Sequence, residues 1–186
     1  MGFDFGILYF IQDHLRCAFL DAVMPYITYL GEAGTIWFAA AIILLITKKY
    51  RRCGVMMVCA MALGCLTGEI VLKGIVARPR PFSVDDTVAL LIHAPSGFSF
   101  PSGHSISSFA ASAVIFRADK RIGIPALILA ALIAFSRLYL FVHFPTDVLA
   151  GIFIGAAFGV LTVIIGEKIC RRAAERKAAK TRNGAE

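Results

Sequence analysis

Two histidines stand in short polar stretches of an otherwise strongly apolar chain. His104 ends the stretch "PSGH", and His143 begins "HFPTD", which ends in Asp147. Because Pro145 fits the first turn of a helix and helical side chains lean toward the N-terminus, Asp147 is predicted to reach back to His143. A carboxylate that holds one imidazole nitrogen leaves the other free, so we predict that His143 is a nucleophile and His104 a general acid.

Basic side chains near these stretches supply a place for an anion. Arginine forks match the oxygens of a phosphate and a lysine adds a point charge, which makes Lys73, Arg80 and Arg137 candidate phosphate ligands. The hydroxyl of Ser102 and the small Gly103 begin a predicted helix, whose free N–H groups would point at the same anion. Attack of the histidine on phosphorus would form a phosphohistidine, which water would then hydrolyse.

The elements that position these residues are predicted to be membrane helices. Of the 186 residues, 59% are hydrophobic and 17% are charged, and the mean hydropathy is +0.78, which is unusual for a soluble domain. Five apolar runs contain no Asp, Glu, Lys or Arg, namely 33–47, 53–68, 105–116, 122–136 and 148–166. Only the last run, with 19 residues, spans a bilayer unaided, so the polar ends of the others are expected at the membrane boundary.

A further helix is predicted over residues 5–30. Four polar residues interrupt it, and its first half is expected to lie along the membrane interface. The count is then six spanning helices. The predicted fold is an all-α polytopic membrane protein, a bundle of six transmembrane helices, in a single domain over residues 1–186.

The charge pattern predicts the orientation of this bundle. The net charge is +7, and most of the 19 Lys and Arg residues follow the second, fourth and sixth predicted helices, in "KKYRR", "RADKR" and the tail over residues 168–186. The positive-inside rule assigns these segments to the cytoplasm and places the two histidines on the extracytoplasmic face of the plasma membrane. The basic tail is interpreted as a topology signal beside anionic membrane lipids, so no nucleic-acid partner is expected.

Three motifs occur in order within residues 73–147. "KGIVARPRP" (residues 73–81) fits KxxxxxxRP, "PSGH" is the second motif, and "SRLYLFVHFPTD" (residues 136–147) fits SRxxxxxHxxxD. Together they resemble the type-2 phosphatidic acid phosphatase family, whose site is shared with vanadium haloperoxidases and glucose-6-phosphatase. The resemblance implies a metal-independent phosphatase with the roles His143 nucleophile, His104 acid, Asp147 orienting residue, and Lys73, Arg80, Ser102, Gly103 and Arg137 phosphate ligands. No cofactor is expected, since the sequence also offers no carboxylate cluster or Cys/His ligand set.

The expected substrate is a lipid phosphomonoester or pyrophosphate at the outer leaflet, because a site at the bilayer boundary suits a lipid whose head group enters a cationic pocket. Undecaprenyl diphosphate, the carrier lipid of cell-wall synthesis, is the first choice. Phosphatidic acid, phosphatidylglycerol phosphate and diacylglycerol pyrophosphate stay open, because the motifs contact the phosphate and not the tail. A lipid phosphotransferase, a non-enzymatic lipid-binding protein and a haloperoxidase are the other functions that stay open.

Some residues in and around the motifs also have structural interpretations. Lys73 could pair with Glu69, one helical turn earlier, instead of binding phosphate. Arg78 lies outside the motifs and is interpreted as an interfacial anchor. His14 and His93 have no such context and are interpreted as structural residues.

The last predicted helix carries a GxxxGxxxG face made of Gly151, Gly155 and Gly159. Since glycine has no side chain, this face permits close packing of another helix. Packing inside the bundle is expected, and a homodimer through these glycines is the alternative.

Overall fold

The computed structural model of this chain describes residues 2–183, where every regular element is a helix. The first half contains α1 (Gly2–His14), α2 (Ala18–Leu30), a 3-10 turn (Glu32–Gly34), α3 (Thr35–Ile46) and α4 (Arg51–Cys65). A π-helical stretch (Leu66–Leu72) continues α4 into α5 (Lys73–Val76), and the short α6 (Pro81–Val84) follows. The second half contains α7 (Gly103–Ala118), α8 (Lys120–Tyr139) and α9 (Pro145–Asn183). The all-helical class is confirmed for these residues, and the last three residues of the predicted basic tail lie outside them.

The helix α7 is the centre of the bundle and packs against α4, α8 and α9. The glycine face of α9 lies directly on it: Gly151, Gly155 and Gly159 are all buried. A Cβ atom on Gly151 would lie 2.6 Å from the carbonyl oxygen of Ser102, and one on Gly159 would lie 2.7 Å from the Cβ of Ala113. Packing inside the bundle is therefore confirmed, and the glycine face is not free for a second copy of the chain.

Three helices are long and apolar enough to cross a membrane, namely Arg51–Val84, Lys120–Tyr139 and Pro145–Lys177. A fourth span results when Ala18–Leu30 and Glu32–Ile46, which are bent by 47° at their break, are counted together. The central helix α7 has 16 residues, fewer than the roughly 20 that a crossing helix needs. By length and composition the described residues thus contain three or four candidate spans, and the predicted count of six is not reached.

The segment predicted as the first spanning helix, residues 5–30, is broken into α1 and α2. Polar side chains tie α1 to one end of the bundle. Near its C-terminus, Gln12 donates a hydrogen bond to the carbonyl of Tyr139 at 2.9 Å. Near its N-terminus, Asp4 accepts one from the backbone N–H of Thr146 at 3.1 Å. Both ends of α1 therefore lie where α8 ends and α9 begins.

The predicted site residues lie at this same end. It is formed by α5, the loop over residues 77–102, the start of α7, the turn over residues 140–144 and the start of α9. At the opposite end, Tyr50 of the basic segment "KKYRR" donates from its hydroxyl to Asp119, between α7 and α8, at 3.0 Å. The basic segments between helices are thus remote from the site.

Candidate active site

His143 lies in the turn between α8 and α9, and Asp147 lies in the first turn of α9. Both side chains are buried, and Nδ1 of His143 is 3.6 Å from Oδ2 of Asp147. The same oxygen accepts hydrogen bonds from the hydroxyl of Ser99 and from the backbone N–H of Phe144. Burial lowers the pKa of His143 to about 3, so the imidazole is neutral near pH 7. The structure thus brings the predicted pair together and adds Ser99, which the sequence did not indicate.

Arg80 is held against the other nitrogen of His143. Its guanidinium donates to three backbone carbonyls, those of Ser96 at 3.1 Å, Gly97 at 3.0 Å and Val142 at 3.0 Å. The Nη1 atom that reaches Val142 also lies 3.2 Å from Nε2 of His143. Arg80 is only 5% exposed. A cation held by three carbonyl groups therefore lies beside Nε2 of His143.

Arg137 and His104 each carry a buried nitrogen without a hydrogen-bond partner. Arg137 is 2% exposed and donates from Nη1 to the hydroxyl of Thr28, but its Nε has no acceptor. Nε2 of His104 has none either, and the carboxylate of Glu32 is 3.6 Å away. Among the side chains that the structure describes, these are two of three such buried atoms, and the third is Thr162 Oγ1. Buried donors normally have partners, so these two nitrogens are open to the oxygens of a bound anion.

These groups face one cavity of about 980 Å³. Six of the predicted site residues line it: Lys73, Arg80, Gly103, His104, Arg137 and His143. An apolar part of the wall comes from α3, α4 and the π-helical stretch, with Phe38, Met61, Leu66 and Ile70. His93, interpreted from the sequence as structural, lines the cavity too. The cavity therefore has one wall of cationic side chains and an apolar flank formed by Phe38, Met61, Leu66 and Ile70.

In the described part of the chain, no three His, Cys, Asp or Glu side chains come together as a metal site.

The start of α7 differs from the prediction in one residue. Ser102 is fully buried, and its hydroxyl oxygen accepts from the N–H of Ser105 at 3.4 Å and from the hydroxyl of Ser105 at 3.1 Å. Ser102 thus caps α7, as serine commonly does at a helix start, and it is not among the residues that line the cavity. Gly103 does line the cavity.

Lys73 and Gly103 both contact a carboxylate. Nζ of Lys73 lies 2.7 Å from Oε2 of Glu69, which is the structural pairing that the sequence allowed. The same carboxylate lies directly on Gly103, where a Cβ atom would collide with Oε1 of Glu69. The acidic group therefore occupies space beside two of the predicted phosphate ligands.

Arg78 has a different place from the predicted one. The sequence indicated an interfacial anchor, but the side chain turns inward and donates from Nη1 to Oδ1 of Asp147 at 2.7 Å. It also forms an ion pair with Asp4 of α1 at 2.7 Å. In the sequence, only its position two residues before Arg80 indicated that Arg78 could lie near the site. No sequence pattern connects Arg78 to Asp4.

Comparison with known proteins identifies related sequences over most of the chain. The sequence model described as the PAP2 superfamily matches residues 49–170. An undecaprenyl-diphosphatase of Sulfolobus acidocaldarius is 32% identical over 166 residues, which cover 89% of this chain and 79% of that protein. Phosphatidylglycerophosphatase B of Bacillus subtilis is 34% identical over 170 residues, which cover 84% of this chain and 80% of that protein.

A solved structure agrees with these sequence relatives. The crystal structure of Aquifex aeolicus LpxE superposes with a TM-score of 0.77 and 29% identity. The match covers 87% of this chain and 94% of that one. The shared fold thus extends well beyond the three motifs.

Proposed function

Because the chain belongs to the PAP2 superfamily, we propose that it is a membrane lipid phosphatase that hydrolyses a phosphomonoester or a pyrophosphate. One observation carries the proposal. Two histidine nitrogens and two buried arginines face a single cavity, and His104 Nε2 and Arg137 Nε there have no partner within the protein. A phosphoryl group supplies both the negative charge and the acceptor oxygens that these groups lack.

In the first step, Nε2 of His143 attacks phosphorus while its Nδ1 faces Asp147. The bond between phosphorus and the leaving oxygen breaks, and His104 donates a proton to that oxygen. Arg80 and Arg137 offset the charge on the equatorial oxygens, where preorganised donors stabilise a transition state most. The product is a phosphohistidine whose positive imidazole is offset by the Asp147 carboxylate.

In the second step, His104 takes a proton from water, and the water oxygen attacks phosphorus. The bond between phosphorus and Nε2 of His143 breaks, and inorganic phosphate leaves. His104 is then protonated again, so each turnover restores both histidines. No further proton donor is required.

The apolar flank of the cavity favours a substrate with a hydrocarbon tail. Phe38, Leu66 and Ile70 line the cavity and remain 46%, 52% and 66% exposed, so a tail contacts them without leaving the bilayer. Undecaprenyl diphosphate is the first substrate to test, because the Sulfolobus acidocaldarius relative carries that activity in its name. Phosphatidylglycerol phosphate is the second, from the name of the Bacillus subtilis relative.

We also propose that the chain crosses the membrane five times, not the six times predicted from the sequence. The segment α2–α3 runs along α8 in one direction. Thr28 contacts Arg137 near the C-terminal end of α8, and Gly31 contacts Ile133 about one turn earlier in α8. Further along the segment, Ile36 lines a groove together with Leu129, one more turn back along α8. The segment therefore descends once from the site end to the opposite end as a single bent span. The continuous helix α4–α5 and the helices α8 and α9 supply three more crossings. We count α7 as the fifth although it has only 16 residues, because α4, α8 and α9 pack around it and it runs between the two ends of the bundle.

This topology places the first described residues and the site on the same side of the membrane. The end of α9 lies on the other side, together with the basic segments that precede α4 and α8. By the positive-inside rule these basic segments face the cytoplasm, so the site opens on the extracytoplasmic face. A lipid phosphate in the outer leaflet then reaches the cavity directly.

The proposed activity is tested by phosphate release from a panel of lipid phosphates and diphosphates. The purified protein is compared with His143→Ala and with His14→Ala, since His14 is an exposed histidine of α1 that does not line the cavity. We expect release by the native protein and His14→Ala, and loss in His143→Ala. Release that survives in His143→Ala would contradict the assigned nucleophile, and no release from any lipid would contradict the proposed activity.

A further inference from the structure

We propose that Arg78 and Asp4 form a positioning pair, which fixes the orientation and the charge of Asp147 and thereby acts on His143. This inference rests on the proposed function and adds two residues to the groups that control the nucleophile. Neither residue contacts the cavity, so both act through Asp147.

The guanidinium of Arg78 joins two buried carboxylates. Its Nη1 lies 2.7 Å from Oδ1 of Asp147, and its Nη2 lies 2.7 Å from Oδ2 of Asp4. The side chain of Asp147 is fully buried and that of Asp4 is 8% exposed. Buried carboxylates need such partners, and the planar fork of arginine serves two at once.

The two oxygens of Asp147 have different partners. Oδ1 accepts from Arg78, whereas Oδ2 accepts from Ser99 and from the N–H of Phe144 and faces Nδ1 of His143. Arg78 thus prevents the carboxylate from turning its oxygens away from the imidazole. If Arg78 were lost, Oδ1 would be a buried acceptor without a partner.

Asp4 holds the far side of Arg78 and ties α1 to the first turn of α9. Its carboxylate accepts from the backbone N–H of Thr146 at 3.1 Å and from the hydroxyl of Thr146 at 3.0 Å. The Thr146 hydroxyl oxygen in turn accepts from Nη1 of Arg78 at 2.7 Å. The guanidinium also lies over the ring of Phe144, 3.9 Å from its centre. Arg78 is therefore fixed on both sides.

The pair also affects the negative charge of Asp147, which lies next to the imidazole of His143. The charged or titratable groups that act on His143 are Asp147 from α9, Arg80 from the loop before α6, Arg137 from α8 and His104 from α7. Arg78 offsets the negative charge of Asp147. Removing the guanidinium leaves that carboxylate more able to stabilise an imidazolium, so the pKa of His143 rises and the acidic limb of kcat/KM moves to higher pH.

The test compares Arg78→Gln, Arg78→Lys and Asp4→Asn with the native protein. For Arg78→Gln we expect kcat to fall by about 10- to 100-fold with KM changed by less than about twofold, because the substrate pocket is untouched. Arg78→Lys keeps the charge but lacks the planar fork that holds both carboxylates at fixed positions, so its kcat should be intermediate and its acidic limb unshifted. Asp4→Asn should show a smaller fall in kcat.

Arg16→Gln is the matched control, since Arg16 lies between α1 and α2, pairs with Asp21 and does not touch the site. Its kcat should equal that of the native protein. If Arg78→Gln fails to fold, the kcat and KM values of Arg78→Lys and Asp4→Asn test the proposal. Full kcat in both of these variants, or a change in KM alone, would overturn the proposal.

A second readout does not depend on turnover. The chain has 4 histidines, so the imidazole of His143 can be assigned by NMR of labelled protein with His143→Ala as reference. Its titration should shift to higher pH in Arg78→Gln and not in Arg16→Gln. An unshifted titration overturns the positioning role, whereas absence of phosphate release by the native protein overturns only the proposed function.

Discussion

The two ends of the helix bundle hold arginines in opposite environments. At the site end, Arg80 and Arg137 are 5% and 2% exposed. At the other end, the side chains of Arg117 and Arg171 are 64% and 74% exposed. Arg117 and Arg171 pair with glutamates, yet the described contacts of Arg80 and Arg137 include no carboxylate.

The difference in burial separates the arginines of the two ends by the energy that their charges cost. An exposed ion pair contributes roughly 0–1 kcal/mol and leaves its cation hydrated, so the charges of Arg117 and Arg171 cost little where they lie. A buried guanidinium without an anionic partner is costly, and such a cost persists in membrane proteins mainly at functional sites. In the proposed function Arg80 and Arg137 bind the phosphate of the substrate, and in the proposed topology Arg117 and Arg171 lie on the cytoplasmic side.

The largest contrast is expected between two aspartates. Asp147→Asn should lower kcat by roughly a thousandfold, because an amide cannot offset the positive charge that develops on His143. Asp119→Asn at the opposite end should leave kcat unchanged, since Asp119 caps α8 and asparagine caps helices equally well. The rate of phosphate release at saturating substrate gives kcat for both variants. Equal kcat values in the two variants would contradict the role assigned to Asp147.

The next contrast concerns the arginines themselves. Arg80→Ala should lower kcat/KM by at least about a hundredfold, because it removes a preorganised donor beside the reacting phosphoryl group. Arg117→Ala should change kcat/KM by less than about twofold. Steady-state kinetics across a range of lipid concentrations gives both values, and a comparable loss in Arg117→Ala would break the distinction between the two ends.

A smaller contrast is expected between two glutamates that pair with cations. Glu69→Gln frees Lys73 and removes a negative charge from the phosphate cavity, so KM and the inhibition constant of vanadate should fall by about three- to tenfold. Glu167→Gln removes the partner of Arg117 and should alter neither value. A higher KM in Glu69→Gln would mean that Glu69 orients Lys73 for the substrate instead of competing with it.

The last contrast concerns topology and requires no change in activity. Cys17 is exposed at the site end and Cys170 lies in the last helix beyond the opposite end. In variants that keep only one of these cysteines, a membrane-impermeant reagent should label Cys17 in intact cells and Cys170 only after lysis. Labelling of Cys170 in intact cells would reverse the proposed orientation.

The residues that line the cavity were largely predictable because each belongs to a short motif. His143 and Asp147 are four positions apart, and the start of α9 at Pro145 turns Asp147 back toward the turn that holds His143. Arg80, Arg137, His104 and Gly103 reach the cavity as the three motifs indicated. The membership of the PAP2 superfamily confirms the resemblance on which those motifs depend.

The parts that escaped prediction depend on distant contacts. Asp4 and Arg78 are 74 positions apart, and only the packing of α1 across the site end brings them together. Ser99 reaches Asp147 from a loop without a motif. The six-helix count is not confirmed, because the segment 5–30 is broken into α1 and α2, and Gln12 and Asp21 within it bond to Tyr139 at the end of α8.

The most direct measurement of the central claim is rapid-quench trapping of the phosphoenzyme with a lipid substrate labelled in its terminal phosphate. We expect an acid-labile, base-stable label on the peptide that contains His143. The label should be absent from His143→Ala and present at native levels in His14→Ala. Turnover without any trapped label on that peptide, or label on another residue, would contradict a mechanism in which His143 receives the phosphoryl group.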